Sequence, residues 1–89
     1  MGKRVGMKKT NPNYGIKSLS SYDTITRKSY LWFSKEPTYE VIDTIRKDGW
    51  VYDGIKNKWR CRVTGKDSYG YVKRFQRRIL AIYGIPPMY

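Results

Sequence analysis

Trp59, Cys61 and Val63 alternate with Lys58, Arg60 and Arg62, a period of two that predicts a strand with one buried face and one cationic face. Upstream, Thr24 to Phe33 is rich in β-branched and aromatic residues before Pro37 halts any ladder, and reads as the first strand. Its alternation places Leu31 and Phe33 on one face, Tyr30 and Trp32 on the other. Thr38 then stands as an N-cap before Tyr39 to Asp48, with an apolar stripe of Val41, Ile42 and Ile45 and with Gly49 after the last turn. Acidic residues early and basic residues late suit the dipole of such a short helix. Trp50-Val51-Tyr52, a turn at Asp53-Gly54 and the strand from Lys58 to Val63 form a β-hairpin. A second helix opens at Asp67 or Ser68 and runs to Tyr83, with Val72, Phe75, Ile79 and Ile82 on one stripe. Gly84 and Pro86-Pro87 end it.

These elements predict a small α+β domain in the order β-α-β-β-α, with a three-stranded, mainly antiparallel sheet and both helices on one face. Residues 10–21 are dense in turn formers and read as a loop. The expected organisation is a basic flexible arm and loop over 1–21, the folded domain over 22–85 and a short tail over 86–89. No internal repeat or low-complexity segment is evident. Trp50, Trp59 and Phe75 fall on apolar faces and are assigned to the core, and Cys61 to a small buried position.

A chain of 89 residues has room for one modest core, and its three Trp, nine Tyr and two Phe supply the apolar area to fold. With no His and one Cys, it holds no zinc ligand set, no disulfide and no imidazole-activated nucleophile. Asp48, Asp53 and Asp67 stand where turns and caps want Asp, so no carboxylate site for Mg²⁺ assembles and no enzyme is expected. No cofactor or metal is called for. The longest apolar runs fall far short of a membrane span, and no apolar segment follows the basic start as a signal peptide requires. A cytoplasmic protein is the expectation.

Charge changes the picture most. The formal net charge is +12, and it is unevenly spread: residues 1–19 carry five basic residues and no acid, whereas 56–78 carry nine against Asp67 alone. Solubility needs a magnitude of only about 2 to 8, well mixed. A polyanion or an acidic protein surface is therefore the expected partner.

The stretch Tyr30-Leu31-Trp32-Phe33, Lys35-Glu36-Pro37, a short helix ending Ile45-Arg46-Lys47-Asp48-Gly49-Trp50-Val51-Tyr52, then Lys58-Trp59-Arg60 and a final helix resembles a small α+β module of large polyvalent proteins of phages and plasmids. That module follows the pattern strand, K-P, helix, G-F-x-W, turn, W, usually beside antirestriction or DNA-processing domains. Here Trp50 stands in place of its Phe and Tyr52 in place of its first Trp, while Trp59 matches the second. The resemblance spans roughly residues 28–83. It implies a mobile-element origin and work on or near nucleic acid, with no catalytic residues. The basic arm and the Arg-rich second helix depart from the pattern.

Three groups are candidate nucleic-acid contacts. Lys58, Arg60 and Arg62 on an open sheet face would track phosphates while Tyr30 and Trp32 stack bases; the bland alternative is that the two rings pack beneath a loop. Lys73, Arg74, Arg77 and Arg78, with Lys66, form a helical cluster whose mutual repulsion an anion would relieve. Lys3, Arg4, Lys8 and Lys9 form an arm suited to phosphates or a minor groove, or to solubility alone. The function expected from these features is a non-enzymatic protein binding DNA or RNA. The alternative is a phage-encoded inhibitor that blocks a host protein or nucleoprotein, in the bacterial cytoplasm.

Overall fold

The computed structural model of the chain describes residues 11–88. It contains β1 (Ser18–Asp23), β2 (Lys28–Phe33), α1 (Tyr39–Lys47), β3 (Val51–Asp53), β4 (Lys58–Thr64) and α2 (Ser68–Tyr83). The strands form one antiparallel sheet in the order β1-β2-β4-β3. The fold is α+β as expected, with four strands in place of three and ββαββα in place of β-α-β-β-α.

The extra strand has a physical cause. The expected single strand from Thr24 to Phe33 is only its second half, because Thr24 to Arg27 is a hairpin turn and the serine-rich segment assigned to a loop is β1. Serine is a poor advertisement for a strand, but here tertiary bonds decide. Ser18 is fully buried, accepting from Gln76 Nε2 at 2.9 Å, and Ser29 Oγ lies 2.6 Å from Ser68 Oγ. Small hydroxyls let α2 approach the sheet closely. The tail expected over 86–89 also joins the fold: Ile85 is buried, and Ser18 N donates to Pro86 O at 2.9 Å while Met88 N donates to Ser18 O at 2.8 Å. This pairing covers the start of the β1 edge.

An internal repeat, not evident in the sequence pattern, is present. Tyr22, Asp23, Ile25 and Lys28 recur thirty positions on as Tyr52, Asp53, Ile55 and Lys58. Both turns are built alike. Asp23 Oδ1 accepts from Ile25 N at 2.9 Å and Thr26 N at 3.2 Å; Asp53 Oδ1 accepts from Ile55 N at 3.0 Å and Lys56 N at 3.2 Å. Arg27 N donates to Asp23 O at 2.7 Å and Asn57 N to Asp53 O at 2.8 Å, with Arg27 at φ 60° and Asn57 at φ 57°. Each hairpin is followed by a helix, so the chain is two ββα units, and pairing their second strands yields the observed strand order.

One core joins the units: Leu31, Val41, Ile45, Trp50, Trp59, Cys61, Val72, Phe75, Ile79 and Ile85 are buried together with Ile16. The assignments of Trp50, Trp59, Phe75 and Cys61 hold, and burial pushes the Cys61 thiol pKa up. Ile82, expected on the buried stripe of α2, is 56% exposed, and Gln76 occupies the interior instead. α1 ends in a Schellman motif: Gly49, at φ 93°, donates to Arg46 O at 3.0 Å and Trp50 N donates to Ile45 O at 3.3 Å. No helix among the described residues is long and apolar enough to cross a membrane.

Candidate nucleic-acid interface

The end of α1, the end of β4 and the outer side of α2 converge on one cationic cluster. On α2, Tyr71, Arg74, Phe75 and Arg78 are spaced by three and four, so they share a side and line a shallow cleft of about 120 Å³. The guanidinium of Arg74 lies 6.0 Å from the Tyr71 ring centre, and that of Arg78 lies 5.6 Å from the Phe75 ring centre. Arg62 reaches in from β4, its guanidinium 5.5 Å from the same Tyr71 ring and its Nε donating to Asp48 O at 2.9 Å. Cation–π contact with these rings restrains the side chains and reduces the entropy lost on meeting an anion.

Asp48 organises the cluster. Its Oδ2 accepts from Trp50 Nε1 at 2.9 Å and from Tyr71 Oη at 2.6 Å, and its Oδ1 lies 3.6 Å from Arg78. Asp48 therefore does more than fill a turn position. Its hydrogen bond raises the Tyr71 pKa, aided by burial of the phenol. Among the described residues the other ion pair joins Asp43 and Lys47 at 3.0 Å within α1, so Asp48 carries the one carboxylate paired with this cationic cluster.

Arg62 thus leaves the row assigned to it. The row Lys58, Arg60, Arg62 is interrupted because pairing of β2 with β4 shifts between Lys28 and Tyr30, and Arg62 turns over Gly49 towards α1 and α2. Lys58 and Arg60 remain with the sheet aromatics. Tyr30 pairs in register with Arg60, Lys56 Nζ lies 5.6 Å from the Tyr30 ring centre, and Lys58 Nζ lies 4.0 Å from that of Trp32. Tyr30 is only 5% exposed, which removes it as a stacking platform; Trp32 is half-buried beneath Lys58.

The remaining helical cations occupy a neighbouring stripe. Lys73 Nζ lies 5.0 Å from the Tyr69 ring centre, Tyr69 meets Tyr22 edge to face at 6.5 Å, and a hydrogen bond from Ser20 with Lys73 nearby lowers the Tyr69 pKa. Arg77 is exposed one turn beyond Lys73, and Lys66 is exposed in the turn before α2. Lys3, Arg4, Lys8 and Lys9 lie outside the described residues. Tyr69, Tyr71 and Lys56 escaped the sequence reading, which gives Asp48 only a turn or cap role, although Tyr71 stands three residues before Arg74 and the Tyr69-Gly70-Tyr71 stretch directly precedes the basic run. Among the described residues no group of three or more His, Cys, Asp or Glu converges as a metal site would need.

Comparison with protein-family models, with curated proteins and with solved structures found no match.

Proposed function

We propose that the chain is a small non-enzymatic nucleic-acid-binding protein of a phage or other mobile element, gripping the phosphate backbone through Arg62, Arg74 and Arg78. Lys66, Lys73 and Arg77 extend the contact along α2, and Lys58 and Arg60 add a second basic surface on the sheet. The observation that carries the reading is the three guanidinium groups gathered within 6.0 Å of the Tyr71 and Phe75 ring centres with one carboxylate, Asp48, among them. Planar, pre-placed guanidinium groups are suited to bidentate phosphate contacts. The mobile-element origin rests on the resemblance to the polyvalent-protein module. The non-enzymatic reading is supported by the acids: Asp23 and Asp53 hold their turns and Asp48 ties three elements together.

The test is a salt-titrated fluorescence anisotropy series with labelled single-stranded DNA, duplex DNA and structured RNA. With about six phosphates neutralised on a duplex, log K falls against log salt with a slope near −5. Arg74→Glu with Arg78→Glu weakens binding at least about tenfold at fixed salt. Affinity flat with salt and untouched by the double substitution would sink the proposal. A host protein captured after nuclease treatment would then make the inhibitor the better reading.

A further inference from the structure

The ladder between β2 and β4 stops at Leu31 and Trp59, whereas β2 stays paired with β1 as far as Phe33. Trp32 and Phe33 therefore run on beyond their β4 neighbour, and the chain swings through Lys35 and Pro37 into α1. The gap left between these parts is an open cleft of about 520 Å³ at the sheet end, a volume within the range of small-ligand sites. It is separate from the arginine cluster and shares no lining residue with it.

Its walls have a distinctive chemistry. Trp32, Tyr52 and Trp59 enter it from three strands, and Tyr52, on the three-residue β3, is 48% exposed while its ring meets Trp59 edge to face at 5.1 Å. An exposed tyrosine thus stands at the cleft wall. Arg46 stands at the same cleft with its guanidinium 5.9 Å from the Trp59 ring centre, and Lys35 with Glu36 lines the rim. Tyr52 Oη donates to Asn57 Oδ1 at 3.2 Å, which leaves the Asn57 NH₂ group as the polar donor on that side.

We propose that this cleft takes one unpaired base of a bound single strand, stacked on Tyr52, with Arg46 on the adjoining phosphate. The inference rests on the nucleic-acid reading and adds to it a base-recognising subsite. Only an unpaired base can offer a ring face, since bases within a duplex already stack on both sides. A neutral aromatic ligand would make no use of Arg46 and Lys35, and a bare phosphate would make none of the three rings.

The experiment compares a labelled single strand of thymidines with an abasic strand of the same length and charge, by anisotropy. The expected result is a preference for the base-bearing strand of about 5- to 150-fold, the range for one stacked base. Tyr52→Leu keeps an apolar side chain against Trp59 and removes the stacking ring; it abolishes the preference and leaves the salt slope unchanged. Arg46→Gln, exposed on α1, weakens both strands slightly and lowers the slope by about one. Equal binding of the two strands, or a preference that survives in Tyr52→Leu, overturns the base subsite while the arginine-cluster reading stands. Failure of both strands, duplex DNA and RNA to bind overturns that parent reading, and the subsite with it.

Discussion

The phenol of Tyr71 donates to Asp48 Oδ2 over 2.6 Å, joining the middle of the first turns of α2 to the residue that ends α1. Trp50 Nε1 donates to the same oxygen at 2.9 Å, so one carboxylate oxygen serves both helices and the entry to β3. The other oxygen faces Arg78. Structure and candidate interface therefore meet at one side chain, and changes at Asp48 act on both.

Asp48→Ala removes an acceptor that is largely shielded, its side chain 16% exposed, and strands the Trp50 and Tyr71 donors. Bonds to charged acceptors contribute about 1.5 to 3 kcal/mol each, less where water re-enters, so a loss of about 2 kcal/mol or more is expected. Urea denaturation checks it as a lower midpoint at unchanged slope. The same substitution frees Arg78, and at low salt the affinity for nucleic acid rises about two- to fivefold even as stability falls.

Tyr71 also sets an alkaline limit. Its pKa is raised above the ordinary value near 10 because the protonated phenol donates to Asp48. A group with a raised folded-state pKa contributes stability that is fully present below its unfolded value and is lost as pH rises through the folded one. Stability measured by urea midpoints should therefore decline above about pH 10. Tyr71→Phe is less stable at neutral pH and shows a shallower decline, what remains including the loss from Cys61, whose thiol pKa burial also raises. Parallel curves for the two proteins would exclude this role.

The elements with a strong period were legible from the chain alone: the β4 alternation, both helices and the aromatic core follow from residue spacing. β1 was not, because its stability lies in Ser18 bonding to Gln76 and to the 86–88 backbone rather than in any apolar alternation. The repeat was hidden for the same reason, since Ser29 stands where Trp59 does in the second unit and leaves only the turn residues in common. Basic residues could be counted, but their grouping could not. Arg62 left its strand row because Gly49 gives it room to turn, and Tyr71 entered the cluster through a contact 23 positions away at Asp48.

The repeated turns predict paired behaviour. Two backbone N–H bonds hold Asp23 and two hold Asp53, so Ala at either position lowers the urea midpoint, and the two losses nearly add because the four N–H donors are different and only the Lys56 charge links the turns. The bonds from Ile25 and then Thr26 lower the Asp23 pKa. Its contribution is thus present above the unfolded value near 4 and lost as pH falls through the lower folded value. Asp23→Asn, which keeps the turn geometry, should flatten the acid limb of the stability curve below about pH 4. By contrast Ile25→Lys and Ile55→Lys, at residues 91% and 95% exposed, leave the unfolding free energy within about 0.5 kcal/mol of the parent.

Gly49 is the position where backbone and interface constrain one another most tightly. It sits at φ 93°, and a Cβ there would come within 2.5 Å of Arg62 Cδ. Gly49→Ala therefore meets two penalties: the left-handed backbone, at about 1 kcal/mol or more, and displacement of an arginine whose Nε donates to Asp48 O at 2.9 Å. A total loss of about 1 to 3 kcal/mol is expected, together with weaker nucleic-acid binding as the guanidinium leaves Tyr71. A double-mutant cycle separates the parts. In an Arg62→Ala background the clash is gone, so Gly49→Ala keeps only its backbone penalty and the coupling between the two positions is about 0.5 kcal/mol or greater. A coupling of zero would mean that Arg62 finds its place without the space Gly49 leaves. The Schellman turn of α1 and the arginine cluster would then be energetically independent.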